Sequence, residues 1–313
     1  MSHTVYVYHK SVPNSKNQEK VDLLKHFATG IKANGDYVKN INDLTYSGLE
    51  DVSVIQGWIT DEPPTKGHQQ LRHTVVSRQL GQHKHVVAVD SNLFLYADTK
   101  NPLHYLRYSF NGVFPNTGNY CDKDIDPSRW EKISCDLNLS LKDFRTNGNH
   151  ILFCLQRNGG WSMGNTNVIS WISSTIKEIR KYSDRPILIR PHPGDKQAKF
   201  YLKDYHIQGR QQNLQISNGT SLTDDLKNCW AAINHNSSPV VGAAIEGIPI
   251  FVTDPAKSQC AEIANLDLAK IENPIFHNRL PWVQRLSMFH WKFEELASGE
   301  CWRHMRNYLP LRK

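Results

Sequence analysis

Short apolar runs alternate with amphipathic stretches through the first part of the chain. Val5 to Tyr8, Val52 to Ile55 and His85 to Asp90 have the length and the β-branched content of buried strands. Apolar residues recur at helical spacing from Val21 to Ile31, and a more polar helix is expected over 68–80. β and α elements therefore alternate over roughly the first third of the chain, which favours a mainly parallel sheet.

The second half repeats the alternation. Strands are expected at 151–156, 187–190, 214–217, 231–234 and 249–252, with helices between them. Asn165 or Thr166 is expected to cap the helix that carries an isoleucine stripe up to Ile179. Two β/α blocks predict an α/β fold of two Rossmann-like, doubly wound domains facing a cleft. Ligands of such sheets bind at the carboxyl ends of the strands.

Residues 111–149 are rich in Gly, Pro, Asn and Asp and have no clear period, as is typical of a connection between domains. We therefore expect one domain over 1–148 for the acceptor and a second over 149–280 for the donor. Helical patterns in 281–313 predict C-terminal helices that cross back onto the first domain.

Composition narrows the functional classes. No apolar stretch approaches bilayer length and the first residues lack a signal sequence, so we expect a cytoplasmic chain without stable membrane insertion. Six cysteines are scattered without a C-x-x-C pair, which favours reduced thiols. The formal net charge of +7 suits phosphates or nucleic acid as partners.

Candidate chemistry gathers at three expected strand ends in the second half. Arg190 and His192 follow one strand between fixing prolines, and Gln156 and Arg157 follow another ahead of a glycine pair. The third strand runs into Asn236-Ser-Ser-Pro, where a helix begins, with Glu246 at its far end. Singly, each segment equally fits a rigid loop or a capped helix. Together they predict a phosphate site, because three adjacent ends combine polar and cationic groups.

The series Leu155-Gln156, Arg190-Pro-His-Pro193 and Asn236-Ser-Ser-Pro to Gly247-Ile-Pro249 resembles the donor-binding half of GT-B nucleotide-sugar glycosyltransferases, in particular capsule-polysaccharide transferases. The resemblance implies that His192, Asn236, Ser237 and Ser238 contact the donor phosphate. The family's ribose-binding glutamate falls near Gly242, whereas the acid here is Glu246, one turn later. The tail from Trp291 to Trp302 resembles phage-encoded members.

The resemblance also implies an acceptor base in the first domain. Asp90, at the end of the 85–90 strand, is the first candidate, with a turn cap as its equal alternative; Asp61, His68 and His104 are the reserves. Interleaved aromatic and basic residues suit stacking on nucleic-acid bases, although core packing explains the pattern equally well. These candidate nucleic-acid contacts are Trp58, His68, Arg72, His104, Tyr105 and Arg107.

Other motifs narrow the chemistry further. Asp122, Asp124 and Asp126 form a D-x-D-x-D run that is interpreted as a cap before Pro127 rather than a metal site. A G-K-[ST] phosphate loop and an early G-x-G-x-x-G are missing, which disfavours kinases and dehydrogenases.

The expected activity is a metal-independent hexosyl- or pentosyl-transferase that uses a UDP-sugar, with a CMP-sugar as the alternative donor. Its expected acceptor is 5-hydroxymethylcytosine in DNA, as in bacteriophage DNA modification in the host cytoplasm, where the target base must leave the stack. The alternative is transfer to a capsular or other surface polysaccharide. A nucleic-acid-binding module without a working donor site is the third hypothesis.

Overall fold

The computed structural model describes residues 2–13, 18–59, 64, 66–94, 96, 101, 103–164, 166–203, 213–218 and 221–310. Its internal contacts divide the chain into two compact units. The first comprises Met1–Asn92, Asn101–Trp130 and Arg285–Lys313, and the second comprises Leu93–Lys100 and Glu131–Gln284. The candidate Asp61 and the proposed cap Asn165 lie outside the described residues.

The first unit is built on a six-stranded sheet of order β11-β5-β4-β3-β1-β2. The strands are β1 Thr4–Tyr8, β2 Tyr37–Ile41, β3 Val52–Gln56, β4 His85–Asp90, β5 Leu106–Phe110 and β11 His290–Trp291. The strands β1, β2, β3 and β4 are parallel to one another. β5 is antiparallel to its neighbour β4, and β11 is antiparallel to β5. The sheet is therefore mixed, because a short antiparallel pair extends the expected parallel core.

The helices of this unit are α1 Gln18–Ala33, α2 Gly67–Gly81, α9 Phe293–Ala297 and α10 Glu300–Arg306, and α3 Pro127–Asp136 begins in it and ends in the second unit. Asp126 accepts a hydrogen bond from the Ser128 N–H at 3.0 Å, so the expected cap before Pro127 is confirmed. The apolar stripe of α1, including Phe27 and Ile31, packs against one face of the sheet in one core. A second apolar cluster, around α2, contains residues of the other face.

The C-terminal segment returns to the first unit, as expected. Trp302 is fully buried and its Nε1–H donates to Asp36 at 2.6 Å, while the Asn34 amide donates to the carbonyl of Gly299 at 2.9 Å. Arg129 binds Glu295 in a buried ion pair at 2.5 Å. The segment 281–313 is not helical throughout, because the short strand β11 lies within it and pairs with β5.

The second unit has a five-stranded, wholly parallel sheet of order β8-β7-β6-β9-β10. Its strands are β6 His150–Cys154, β7 Ile187–Arg190, β8 Leu214–Ile216, β9 Cys229–Asn234 and β10 Ile250–Val252. Its helices are α4 Val168–Ile179, α5 Ala198–Tyr201, α6 Leu222–Asp225, α7 Pro239–Ile245 and α8 Leu280–Ser287, the last extending into the first unit. Short 3₁₀ turns occur at 9–11, 161–163, 255–257, 261–263 and 268–270.

Local details of the second unit differ in two places from the expectation. Asn167 caps α4 by accepting from the N–H groups of Ile169 and Ser170, so the cap is one or two residues later than expected. Cys229 is the first residue of β9, so this strand begins two residues before the expected 231. All six cysteines are free thiols, and Cys135 is the exposed one.

The contacts within the structure place the boundary between the units after Trp130. The composition of residues 111–149 instead places the boundary near 148. Residues that follow α3 run along the second unit and bond to its backbone. The N–H of Lys142 donates to Ile245 at 2.9 Å, and that of Arg145 donates to Gly247 at 2.8 Å. A loop-rich composition thus marks the connection without showing which unit it joins.

A buried carboxyl lies at the amino end of β3. Glu50 is 5 % exposed and accepts hydrogen bonds at Oε1 from Ser53 and Gln79, while its Oε2 has no partner. Burial raises the pKa of Glu50 from its ordinary 4.5 to about 7. Because folding raises this pKa, the folded state binds the proton more tightly, and stability is lost as the pH rises from about 4.5 through about 7.

Replacing Glu50 with Gln removes this titration while keeping an amide oxygen for the two donors. We expect the free energy of unfolding of Glu50→Gln to exceed that of the wild type by roughly 2 kcal/mol more at pH 8 than at pH 4.5. Urea unfolding across that range measures the difference. The exposed Glu131→Gln is the matched control, and a pH-independent difference for Glu50→Gln would contradict the assignment.

Candidate functional site

The strand order of the second sheet creates a crevice between β6 and β9. From β6 the chain steps outward to β7 and β8, and it then returns to the other side of β6 with β9 and β10. The connections that leave β6 and β9 therefore diverge, which opens the carboxyl edge at this switch point. The three strand ends singled out in the sequence belong to β7, β6 and β9, which are adjacent as expected.

Gln156 and Asn236 bridge the crevice with two hydrogen bonds, which we call the amide brace. The Gln156 Nε2 donates to the Asn236 Oδ1 at 2.7 Å, and the Asn236 backbone N–H donates to the Gln156 Oε1 at 3.0 Å. Both residues are buried, with 4 % and 8 % exposure. The side-chain N–H groups of both residues are taken up within the protein, so the brace positions the strand ends rather than offering donors to a ligand.

The remaining bonds of the brace fasten it to the neighbouring loops. Gln156 also donates to the Ser162 hydroxyl at 2.7 Å. The Asn236 amide donates to the Ser162 carbonyl at 3.0 Å and to Asp254 at 2.8 Å. The ends of β6, β9 and β10 and the 161–163 turn therefore form one hydrogen-bonded network.

Arg190 is engaged in a buried ion pair. Its Nη1 lies 2.6 Å from Asp225 Oδ2, with side-chain exposures of 10 % and 7 %. The Ser217 hydroxyl bonds to the same carboxylate at 2.8 Å. A neighbouring carboxylate thus offsets the charge of Arg190, so the guanidinium ties β7 to the segment around α6 and is a poor candidate for a phosphate ligand.

His192 is held in one tautomer by its own turn. The N–H of Gly194 donates to Nδ1 at 2.9 Å, so the neutral ring carries its proton on Nε2. Within the described residues Nε2 has no partner. Burial lowers the pKa of His192, nearby Asp195 raises it and Arg157 lowers it further. At neutral pH the side chain therefore presents an N–H donor without a charge.

The loop after β6 supplies a cation beside this imidazole. Arg157 is exposed, and its positive charge lowers the pKa of His192. It has no carboxylate within ion-pair distance among the residues described. Asp195 fixes the loop by accepting from the Asn158 N–H at 3.0 Å and from the Tyr201 hydroxyl at 2.8 Å. Although burial raises the pKa of Asp195, these hydrogen bonds lower it below its usual range.

The serines before α7 differ from each other. The Ser237 hydroxyl lies 3.0 Å from the Asn234 amide, which also donates to the Ser237 carbonyl. Ser238 stands at the N-cap position with an exposed side chain that makes no capping hydrogen bond, so its expected cap is not formed. The Ser238 hydroxyl is therefore accessible at the carboxyl edge.

Glu246 is positioned by a residue far away in the sequence. The Tyr96 hydroxyl donates to Glu246 Oε1 at 3.0 Å, and burial together with this carboxylate raises the pKa of Tyr96. A Cβ at Gly242 would lie 2.5 Å from Tyr96 Cγ, so glycine lets the ring approach α7. No sequence signal linked Tyr96, Asp195, Asp225 or Asp254 to the site, because each acts through a contact that only the fold creates.

In the first unit, Asp90 forms an ion pair with Arg107, which unites two candidates that the sequence assigned to different roles. Asp90 Oδ1 also accepts from the Ser91 N–H at 2.7 Å, as a turn cap would. Burial raises the pKa of Asp90, but Arg107 and the Ser91 bond lower it below its usual range. A carboxylate stabilised in its charged form is a weak general base, so the structure favours the cap over the base.

The expected nucleic-acid contacts are largely enclosed by the first unit. Tyr105 is fully buried, and Arg72 is 9 % exposed, with its guanidinium donating to the Ser11 carbonyl at 2.9 Å and to Gln56 at 3.2 Å. Burial lowers the pKa of Arg72 to about 10. Together with the paired Arg107, these side chains do not line an exposed basic face, which corrects that expectation.

The other three candidates are half-buried. Trp58 packs against an apolar cluster around α2, and burial lowers the pKa of His68. The His104 ring stacks on Phe293 at 4.5 Å, and its Nδ1 lies 3.2 Å from Glu19. The interleaved aromatic and basic pattern therefore mainly reflects packing, the alternative that the sequence left open.

Among the residues described, no three His, Cys, Asp or Glu side chains gather as metal ligands would. Within the same part of the chain, no helix combines the length and the apolar character needed to span a bilayer.

Comparisons with known proteins support the fold. No protein-family model and no curated protein sequence matches the chain. Among solved structures, the chain is similar to the β-Kdo 2,7-transferase of Thermosulfurimonas dismutans KpsC, with 13 % identity over 95 % of this chain and 98 % of that one and a TM-score of 0.53. It is also similar to the β-Kdo 2,4-transferase of the same KpsC, with 10 % identity over 94 % of this chain and 98 % of that one and a TM-score of 0.55. The GT-B-like fold of two Rossmann-like units is thereby confirmed.

The amide brace predicts a large cost for truncating Gln156. In Gln156→Ala the Asn236 N–H and Oδ1 lose their partners in a buried place, so we expect about 2–3 kcal/mol lower free energy of unfolding. Urea unfolding followed by tryptophan fluorescence measures it. Gln215→Ala, on an exposed position of the same sheet, should change the value by less than about 0.5 kcal/mol, and equal effects of the two would refute the brace.

Proposed function

We propose that the chain is a glycosyltransferase that moves a sugar from a nucleotide-sugar donor, bound by the second unit, to a saccharide acceptor. The observation that carries the proposal is the pair formed by Arg157 and His192. Both lie at the carboxyl edge of β6 and β7, beside the switch point, and neither the guanidinium nor His192 Nε2 has a hydrogen-bond partner among the described residues. One supplies a charge and the other a directed N–H donor, which together suit a phosphate.

The pair would assist the step in which the glycosidic bond to phosphate breaks. The anomeric carbon forms a bond to the acceptor oxygen, the electron pair of the old bond remains on the phosphate oxygen, and the acceptor proton is released. Negative charge therefore grows on the leaving phosphate. Donors already held in place by the His192 turn and the Asp195 bonds would stabilise that charge without reorganisation.

Glu246 supports recognition of the nucleoside. Its Oε1 is held by Tyr96, whereas Oε2 makes no hydrogen bond in the described part of the chain and can accept from ribose hydroxyls. The exposed Ser238 hydroxyl is a further accessible polar group at this edge of the sheet. Gln156, Asn236 and Arg190 then act by positioning the loops, because their own groups are engaged.

Two observations favour a glycan over DNA as acceptor. The chain shares its fold, over nearly the whole length of both chains, with two structures named as Kdo transferases. The residues expected to contact a nucleic acid are instead buried or half-buried in the first unit. We therefore propose a carbohydrate acceptor of the surface-polysaccharide type and take hydroxymethylcytosine DNA as the competing acceptor in the assay.

The proposal is tested by offering labelled UDP- and CMP-sugars with oligosaccharide acceptors or hydroxymethylcytosine DNA. We expect transfer to an oligosaccharide and release of the free nucleotide. Transfer to DNA alone would refute the acceptor class, and the absence of both transfer and nucleotide binding would refute the enzyme.

Single substitutions test the roles of the pair. Arg157→Ala and His192→Ala should each lower kcat/KM for the donor by about 10²-fold, since each removes a stabilising group from the leaving phosphate. His192→Gln can place an amide N–H near Nε2 and should retain more activity than His192→Ala. Arg303→Ala removes an exposed cation from the first unit and is the matched control. Wild-type rates in His192→Ala would refute its role.

A further inference from the structure

A groove of about 330 Å³ lies in the first unit, whereas the proposed donor residues belong to the second. Its polar lining consists of His9, Lys25, Thr29, Lys32, Asn40 and Asn42. The volume is at the lower end of the range for small-molecule sites. No role assigned so far to the first unit uses any of these side chains.

The groove follows from the spacing of residues on two elements. Lys25, Thr29 and Lys32 recur at intervals of four and three along α1 and so share one face of the helix. Asn40 is the last residue but one of β2 and Asn42 follows the strand directly, so both lie at its carboxyl end. His9 follows β1 directly, and β1 and β2 are parallel, so this part of the groove lies at the carboxyl ends of both strands.

Positive charge dominates the groove. The Lys32 ammonium has no hydrogen bond or ion pair among the residues described, and the Lys25 ammonium has only an exposed contact with Asp22 at 3.1 Å. His9 Nε2 lies 2.8 Å from Asn40 Oδ1. Burial lowers the pKa of His9, the Asn40 bond raises it and Lys25 lowers it again, so the lysine field reaches the imidazole. An anion placed here would meet two ammonium groups and several neutral hydrogen-bonding groups.

We infer that this groove binds a negatively charged sugar unit, through a carboxylate or phosphate group that the two lysines hold and hydroxyls that Thr29, Asn40 and Asn42 bond. The inference rests on the proposed function, since it names the class of acceptor that such an enzyme would take. A purely ionic patch would need no amides, whereas a sugar ring offers hydroxyl groups that match them.

The position suits an acceptor that extends along the sheet. The groove opens at β1 and β2, and β4 lies two strands beyond β1, which corresponds to about 10 Å. All these strands are parallel, so their carboxyl ends share one edge. An anionic unit held by Lys25 and Lys32 would thus orient the rest of a short glycan along the carboxyl edge of the first unit.

The test measures binding to the full chain without any donor, so that it is independent of transfer. The proton resonance of the His9 ring, assigned by its loss in His9→Gln, is followed by NMR as glucuronate, glucose 6-phosphate, inorganic phosphate or neutral glucose is added. We expect saturable shifts with the two charged sugars, much weaker ones with inorganic phosphate, and none with glucose at the same concentration.

Lysine variants then locate the site. Lys25→Ala/Lys32→Ala should weaken binding of the charged sugars about tenfold, and Lys32→Arg should retain most of it. Lys177→Ala, an exposed lysine on α4 of the second unit, controls for net charge and should bind as the wild type does. Circular dichroism verifies that each variant is folded.

The outcomes separate this inference from the proposed enzyme. Shifts with charged sugars that need about tenfold more ligand in the double variant support the groove, even if no transfer is found. Equal binding of inorganic phosphate and glucose 6-phosphate would overturn the sugar assignment. Unchanged binding in the double variant, or transfer to anionic acceptors whose KM is unaffected by it, would overturn the site while leaving the transferase intact.

Discussion

Two hydrogen bonds between Gln156 and Asn236 fix the geometry on which the candidate site depends. They join the ends of β6 and β9, the two strands from which the chain departs in opposite directions. A crevice forms at such a switch point because the connections from the two strands diverge. Without a cross-link, the loops on its two sides would be free to vary in position. Both side chains are buried, so breaking either bond would leave a polar group without a partner and would destabilise the fold. The strand ends are therefore held in one arrangement.

The same edge shows that residue type does not reveal how a cation is used. Arg190 and Arg157 lie at the carboxyl ends of neighbouring strands, yet Arg190 is buried against Asp225 while Arg157 remains exposed without an acidic partner among the described residues. The first unit repeats this contrast between the enclosed Arg72 and the accessible Lys32. The buried arginines order the framework through fixed hydrogen bonds, and the exposed cations keep their charge for a ligand.

The return of the C-terminal segment gives the first unit part of its core. Trp302 fills the space beside α1 and bonds to Asp36, and β11 covers the edge of β5 that would otherwise expose unpaired backbone groups. Glu295 reaches Arg129 in a buried ion pair. The N-terminal unit thus depends on residues that the chain adds only at its end, so a truncation before residue 285 removes core and edge together.

The sequence alone determined the alternation of strands and helices, the two Rossmann-like sheets and the three polar strand ends. These follow from hydrophobic period and local capping, which act over a few residues. Pro191 and Pro193 likewise indicated that His192 is held in a fixed position. Pro127 indicated that the preceding Asp126 caps a helix. Only the tertiary structure decided which groups these polar side chains bind. Gln156 donates a hydrogen bond to Asn236, Arg190 donates to Asp225 and Tyr96 donates to Glu246. Such partners are distant along the chain, and only folding brings them together, so no local pattern encodes which polar group is engaged and which stays available for a ligand.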